Sequence, residues 1–271
     1  MLRSLFAGIS GLRVNQTMLD VTGNNIANAN TTGFKASTTV FQDTLSQMLT
    51  GASGGNAAQG GTNPIQVGLG VQLAATATNL GQGSAQTTGR ATDVMISGDG
   101  FFVVRSGNEQ LYTRAGAFTF DKAGDLVTSS GARVMGIGAG GALAPINIST
   151  IPGGGELESM SIGSDGKLMG IVNGTSTQLG QLAIATFTNP MGLEKVGETA
   201  FRASANSGAA EAGVPGAGSR GTIMAGALEM SNVDLAAEFT NLILAQRGFQ
   251  ASSRVITTSD SVLEDLVNLK R

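Results

Sequence analysis

The residues in this chain that could do chemistry are mostly carboxylates near turns. Asp93, Asp99, Asp121, Asp125 and Asp165 could suggest calcium, and Glu156, Glu158 and Asp165 could suggest a carboxylate pair for sugar hydrolysis. None of the aspartates falls in an EF-hand register, and an Asp in a turn is already explained by its bonds to nearby backbone N–H groups. Nothing sets the separation of the glutamates, and the aromatics that would stack on a sugar make up 4% of the chain. The run Gly98-Asp99-Gly100-Phe101-Phe102 resembles a phosphate loop. It lacks the Walker lysine and the dinucleotide spacing, and no helix pattern follows it, so it reads as a tight turn feeding a buried strand.

Composition removes more. The 271 residues include no His, Cys or Trp, so Ser-His-Asp and Cys-His catalysis and tetrahedral zinc sites are excluded. A net charge of −3 without a Lys/Arg run argues against nucleic acid as a partner. The chain reads as neither an enzyme nor a cofactor binder. Its start, with Arg3 and a short apolar stretch, is interrupted by Arg13, Asn15 and Gln16 and lacks a small-residue cleavage site. No stretch approaches the roughly 18 apolar residues of a membrane helix. Departure from the cytoplasm is therefore expected to use a route that leaves the N-terminus uncleaved.

The elements that position residues are clearest at the two ends. Leu2, Leu5, Ile9, Leu12, Leu19 and Ile26 recur at intervals of three and four, with Gln16 and Gly23 filling the gaps. This heptad seam predicts a helix to about Ile26, where Asn24, Asn25, Asn28, Asn30 and Gly33 form a stop signal. Leu235, Leu242, Phe249, Ile256 and Leu263 recur every seven residues, with Phe239, Gln246, Ser253, Asp260 and Val267 as a partner row. A helix from about Val233 to Leu269 follows, with Ser231 and Asn232 as caps and Asp234 at the positive end. Two readings of the polar row Gln246, Ser253, Asp260 stay open: a wet flank, or polar residues tolerated on a partly exposed seam. Further apolar residues, Phe6, Val14, Met18, Ile243, Val255, Val262 and Leu266, lie outside the seams, so pairing of the two helices cannot satisfy them all. The ends are expected to order when neighbouring copies supply the missing surface.

Between the ends, short apolar runs separated by Asp-Gly or Gly turns predict antiparallel strands near 91–96, 101–105, 117–121, 161–172 and 182–187. The 41 glycines concentrate in this middle part and in three stretches read as linkers: Thr50–Thr62, Gly136–Ala144 and Ser204–Gly221. The expected fold class is α+β, with paired, coiled-coil-like terminal helices and a central, mostly antiparallel β domain. The expected divisions are 1–49 with 226–271 as a helical assembly domain, 50–69 as a glycine-rich connector, and 70–225 as a β-rich outer domain.

Four segments carry a family resemblance. Residues 23–35, with Asn24, Asn25, Ala27, Asn28, Thr32, Gly33, Phe34 and Lys35, look like the N-terminal signature of the flagellar rod and hook proteins. Residues 92–104, with Gly98, Gly100, Phe101 and Phe102, are similar to that family's strand-turn-strand. Residues 112–128 resemble its hairpin, and 229–260 its C-terminal segment. Within the family, the first 13 residues and the run 63–72 look hook-like, with the distal rod proteins as the runner-up. Many hook proteins carry a further outer β domain, for which this length leaves no obvious room.

The resemblance implies a structural subunit that polymerises helically into a hollow tube, transmits torque and conducts exported chains. Terminal helices would form the inner tube and the β domain the outer layer. As a hook subunit it would be a flexible joint outside the cell; as a distal rod subunit, a rigid shaft in the basal body. The implied partners are other copies of itself, rod and hook–filament junction proteins, the hook cap and the export apparatus. Gln246, Ser253 and Asp260 would face the lumen, and 50–62 could act as a mechanical hinge. A competing class is a secreted β-rich adhesin with a coiled-coil stalk, expected to have a cleavable signal and only one seam.

Overall fold

The computed structural model describes residues 2–55, 60–138, 141–149, 157–172 and 174–269. The order is one long helix, a run of short strands and a second long helix. This is the expected α+β arrangement. The chain divides into two compact units: 1–27, 37–78 and 234–271 form the first, and 28–36 with 79–233 the second.

In the first unit, helix α1 spans Leu2–Ala27 and helix α2 spans Leu235–Asn268. Asp234 caps α2, its carboxylate accepting from the N–H groups of Ala236 and Ala237. The expected caps act elsewhere: Ser231 Oγ accepts from Val233 N, and Asn232 is taken up by backbone groups of the second unit. Strands Ser37–Asp43 and Val71–Thr78 pair antiparallel, with a bulge between Val40 and Phe41, and Ser46–Thr50 with Ile65–Gly68 continue the ribbon. Residues 50–69, expected as connector, therefore supply one of the ribbon's strands. The Ser53–Thr62 bridge extends it further, and 56–59 lie outside the described residues.

The second unit is built on a ten-stranded sheet. Its central strand, Phe101–Ser106, pairs with Glu109–Thr113, Arg133–Ile137 and Ile184–Thr186. The apolar run Phe101-Phe102-Val103-Val104 has no polar alternation because both faces are covered. Phe102 and Val104 enter one cluster with Leu111, Phe118 and Val134, while Phe101 and Val103 enter another with Tyr112, Met135 and Phe201. Leu157–Ile162, Lys167–Val172 and Thr175–Gln181 form a three-stranded sheet.

Two stretches read as linkers carry ladder bonds instead. Arg133–Ile137 pairs with Leu143–Pro145, and Glu211–Gly213 pairs with Ile184–Thr186. Backbone bonding orders them although their side chains offer little to bury. Residues 139 and 140 lie outside the described set.

The turn carboxylates are locks for loops. Asp121 accepts from Asp125 N, Asp125 from Asn147 Nδ2 and Arg133, and Asp165 from the backbone N and side chain of Lys167. Asp93 is buried and accepts from Thr88 Oγ1 at 2.6 Å. Among the described residues no three acids converge as a metal site would require. Glu156 and the Glu158 side chain lie outside that set. At the Gly98–Gly100 turn, a Cβ on Gly100 would stand 2.2 Å from Ile184 Cγ2, so the glycine serves packing rather than a phosphate.

Candidate assembly site

The helix pair of the first unit is antiparallel. Ser4 Oγ meets Ser259 Oγ at 3.3 Å, and Asn25 Nδ2 donates to Glu238 Oε1 at 3.0 Å. Between these ends the helices approach through glycine: a Cβ on Gly11 would stand 2.9 Å from Ser252 Oγ, and one on Gly248 2.5 Å from Asn15 Oδ1. Gly8 faces Ile256 in the same register.

The α1 row Gly8, Gly11, Asn15, Met18, Thr22 and Asn25 is buried or half-buried. It has heptad spacing, but it lies one residue before the predicted seam of Leu5, Ile9, Leu12, Leu19 and Ile26. The same offset occurs on α2. Leu242, Ile256 and Leu263 are half-buried as expected, but their partners are Glu238, Ala245, Ser252 and Ser259, not Phe239, Gln246, Ser253, Asp260 and Val267. Small side chains permit close approach of the two backbones, and a search for large apolar residues follows the neighbouring row.

This choice leaves large apolar groups outside the pair. Ile9, Leu235, Phe239, Phe249 and Val267 of the predicted seams are exposed, and Leu5, Leu12, Leu19 and Ile26 are half-buried. The side chain of Leu2 lies outside the described residues. Of the residues expected outside the seams, Val14 is buried and Met18 half-buried, while Phe6, Ile243, Val255, Val262 and Leu266 are exposed. Phe6 is the extreme on α1, at 67%. Gln246 and Asp260 are exposed, and Ser253 is half-buried.

The ribbon behind α1 is as uncovered. Leu45, Met48, Leu49 and Ile65 are all more than half exposed. From Thr44 to Gly89 the sequence holds no charged residue, so apart from Asp43 the ribbon lacks the charges with which open strand edges discourage association.

The second unit holds a buried ionic node. Lys35 Nζ lies 2.5 Å from Glu229 Oε1, both side chains at 0% exposure, and Arg114 Nη1 lies 3.4 Å from Glu229 Oε2. Lys35 also donates to Gly81 O, Gly83 N to Glu229 Oε1, and Arg114 Nη2 to Gly98 O. Burial pulls the Lys35 ammonium below its usual pKa of 10.5, opposed by its bond to Glu229. Burial likewise lowers Arg114, again opposed by Glu229. The backbone is fitted closely here: Gly33 takes φ 69°, donates its N–H to Glu229 O at 2.8 Å, and has no room for a Cβ beside Ala115 N.

The quoted motifs thus divide by unit. Asn25 holds the helix pair. Gly33, Lys35 and Gly98 belong to the node, the Arg114 guanidinium lies over the Phe101 ring at 5.4 Å, Phe102 packs on Phe118, and Lys195 Nζ sits over the Phe34 ring at 5.1 Å. Asn28 accepts from Thr31 to close the turn after α1. Asn24 and Ala27 are exposed, and Thr32 is half-buried. Arg114 and Glu229 complete the node and belong to none of the sequence-predicted sites. Both stood inside motif segments, and a charged residue in an otherwise weakly charged run was the available signal.

Three family profiles match in chain order: the basal body rod protein family over residues 5–35, the FlgE/F/G hook protein D1 domain over 95–170, and the FlgEFG C-terminal family over 224–269. The chain is 48% identical to the basal-body rod protein FlgG of Bacillus subtilis over 273 positions, covering all of both chains. It belongs to the flagellar hook and basal-body rod protein family. FlgG of Borreliella burgdorferi is 38% identical over 277 positions. The hook protein FlgE of the same organism is 31% identical, but its alignment runs to 441 positions, of which this chain can fill at most 271. Members of this family are structural parts of the flagellum, which removes the adhesin alternative and agrees with the lack of a catalytic constellation in the sequence. No helix among the described residues is long and apolar enough to cross a membrane.

Proposed function

We propose that this chain is a distal rod subunit: it polymerises helically, other copies of itself above, below and beside it, into a straight hollow shaft of the basal body. The full-length match to rod proteins, without the extra length of the hook relatives, carries this choice over the hook reading expected from the opening residues. The helix pair supports polymerisation. Its seam consumes small residues and leaves Phe6, Phe239, Leu244, Val255 and Leu266 outward, and each such side chain contributes roughly 1.5–3 kcal/mol once buried. Rod and hook–filament junction proteins, the hook cap and the export apparatus are the further partners on this reading.

The lumen wall belongs to α2. Gln246, Ser253 and Asp260 sit one residue past the α1-facing positions, roughly 100° round the helix. Arg247, Arg254 and Ser261 sit two residues past them, about 160° round, and are exposed. We assign the wall to both rows, the second facing more directly away from α1.

Electron microscopy of the concentrated protein tests the assignment. Straight hollow tubes are expected. Curved tubes would transfer the chain to the hook, where 50–62 would be the segment that stretches as the joint turns. The hook-like opening and the 31% match to a hook protein favour that second reading. Absence of any polymer would overturn both.

A further inference from the structure

The ionic node is uneven. Lys35 and Arg114 are two buried cations that repel each other, and among the described residues Glu229 is the only buried carboxylate between them. Asp99, the other acid acting on Arg114, is exposed and so strongly screened. In sequence, Lys35 and Glu229 stand 194 residues apart. Lys35 belongs to 28–36, the segment that follows α1. Glu229 ends the strand Ala227–Glu229, just before α2, and that strand pairs with Ala85–Thr87.

Neutral bonds tie the same segments. Asn232 Oδ1 accepts from Ala36 N at 2.9 Å, and its Nδ2 donates to Asn79 O and Gly81 O. Asn79 N in turn donates to Ala36 O at 2.8 Å. Beside its own turn bonds and the bond from Lys195 Nζ to Lys35 O at 2.9 Å, segment 28–36 takes its backbone partners from 79–83 and 229–232. Its one buried side-chain charge takes its counter-charge from 229.

A buried cation without its partner costs far more than the pair contributes. If 227–232 is absent from its place, docking 28–36 would bury Lys35 against Arg114 with the Gly81 carbonyl as acceptor but no buried carboxylate to balance the two charges. We infer that Glu229 is an electrostatic interlock: residues 28–36 settle onto the second unit only when 227–232 has brought the carboxylate, so both roots of the terminal helices close together. The sheet core between 94 and 213 meets these charges where Arg114 lies over the Phe101 ring at 5.4 Å, but it needs neither Lys35 nor Glu229 and is free to form first.

Hydrogen exchange on the full-length monomer tests this, independently of whether tubes form. In Glu229→Gln the amides of Gly33, Ala36 and Asn79 are expected to exchange roughly a hundredfold faster or more, while Leu126 and Ile146 in the sheet keep wild-type protection. Removing the repulsion with Lys35→Met in the Glu229→Gln background is expected to restore at least about tenfold of that protection. Wild-type exchange in Glu229→Gln would overturn the interlock. So would loss at Leu126 and Ile146 in step with the other amides, which would mark a merely global contribution to stability. A double variant as open as the single one would overturn it as well.

Discussion

Asn25 and Glu238 meet inside the helix pair with 213 residues between them, the amide Nδ2 donating to the carboxylate at 3.0 Å. Asn25 also donates to Ser37 O and accepts from Ser37 N, so one side chain joins α1, α2 and the first ribbon strand. Asn25→Ala would orphan the Ser37 N–H and leave the buried carboxylate without its donor. A loss of about 2–4 kcal/mol is expected in urea unfolding followed by helical circular dichroism. Glu238→Gln keeps an acceptor in place and should cost clearly less. Equal costs for the two would show that the carboxylate's charge matters more than its donor.

The glycines of the helices make opposite predictions according to what surrounds them. A Cβ on Gly248 would meet Asn15 Oδ1 at 2.5 Å, so Gly248→Ala must displace a side chain that already donates to Gly11 O. It should destabilise by about 1–3 kcal/mol, as overpacking does. Gly23 has nothing within 4 Å of its Cβ position. Gly23→Ala should stabilise α1 by about 0.5–1 kcal/mol. Thermal melts of the two variants, run beside wild type, should shift in opposite directions.

The helices were legible in the sequence and their contact was not. The Asn cluster around Ile26 and the seven-residue recurrence to Leu263 mark where each helix runs, because length and termination are local properties. The rows in contact carry Gly8, Gly11, Ala245 and Gly248, residues with almost no hydrophobic signal. A pattern search tracks large apolar residues, and so it followed the row one residue later. Ser231 and Asn232, both good caps by type, mask the capping role of Asp234 in the sequence, while Asn232 is held by Ala36, Asn79 and Gly81. The strands around Phe101–Val104 were clear from their apolar runs. The pairing of Lys35 with Glu229 was beyond reach, because nothing local to either residue encodes a partner 194 positions away.

Alkaline pH should raise stability through Lys35. Its folded pKa lies below 10.5, so between that depressed value and 10.5 the unfolded chain binds more protons than the folded one. Stability then rises with pH across that window. Lys195, also lowered by burial, acts in the same direction. Tyr112 is raised by burial and opposes them above pH 10.0. Urea midpoints between pH 8 and 10 are expected to climb in wild type, to climb less in Lys35→Met, and least in the variant lacking both lysines. An unchanged slope in Lys35→Met would show that its ammonium is not held below the usual range.

The last prediction concerns the surface on which assembly depends. Leu244, Val255, Val262 and Leu266 are exposed on α2, separated by 11, 7 and 4 residues. At 100° per residue these steps place them within about 40° of one another, a single stripe along the helix. The stripe lies to one side of the α1-facing row, so α1 leaves it uncovered. Changing Val255, Val262 and Leu266 to Ser removes apolar surface that only another copy could bury, at roughly 1.5–3 kcal/mol for each side chain if burial is complete. The monomer should keep its helical signal, because none of the three supports the intramolecular seam. The concentration needed for polymer should rise by at least about a hundredfold, since each 1.4 kcal/mol is worth a factor of ten. Sedimentation across a concentration series measures that threshold. A monomer that loses helix would place the stripe in the fold instead, and a polymer threshold unchanged from wild type would mean that copies associate through another surface.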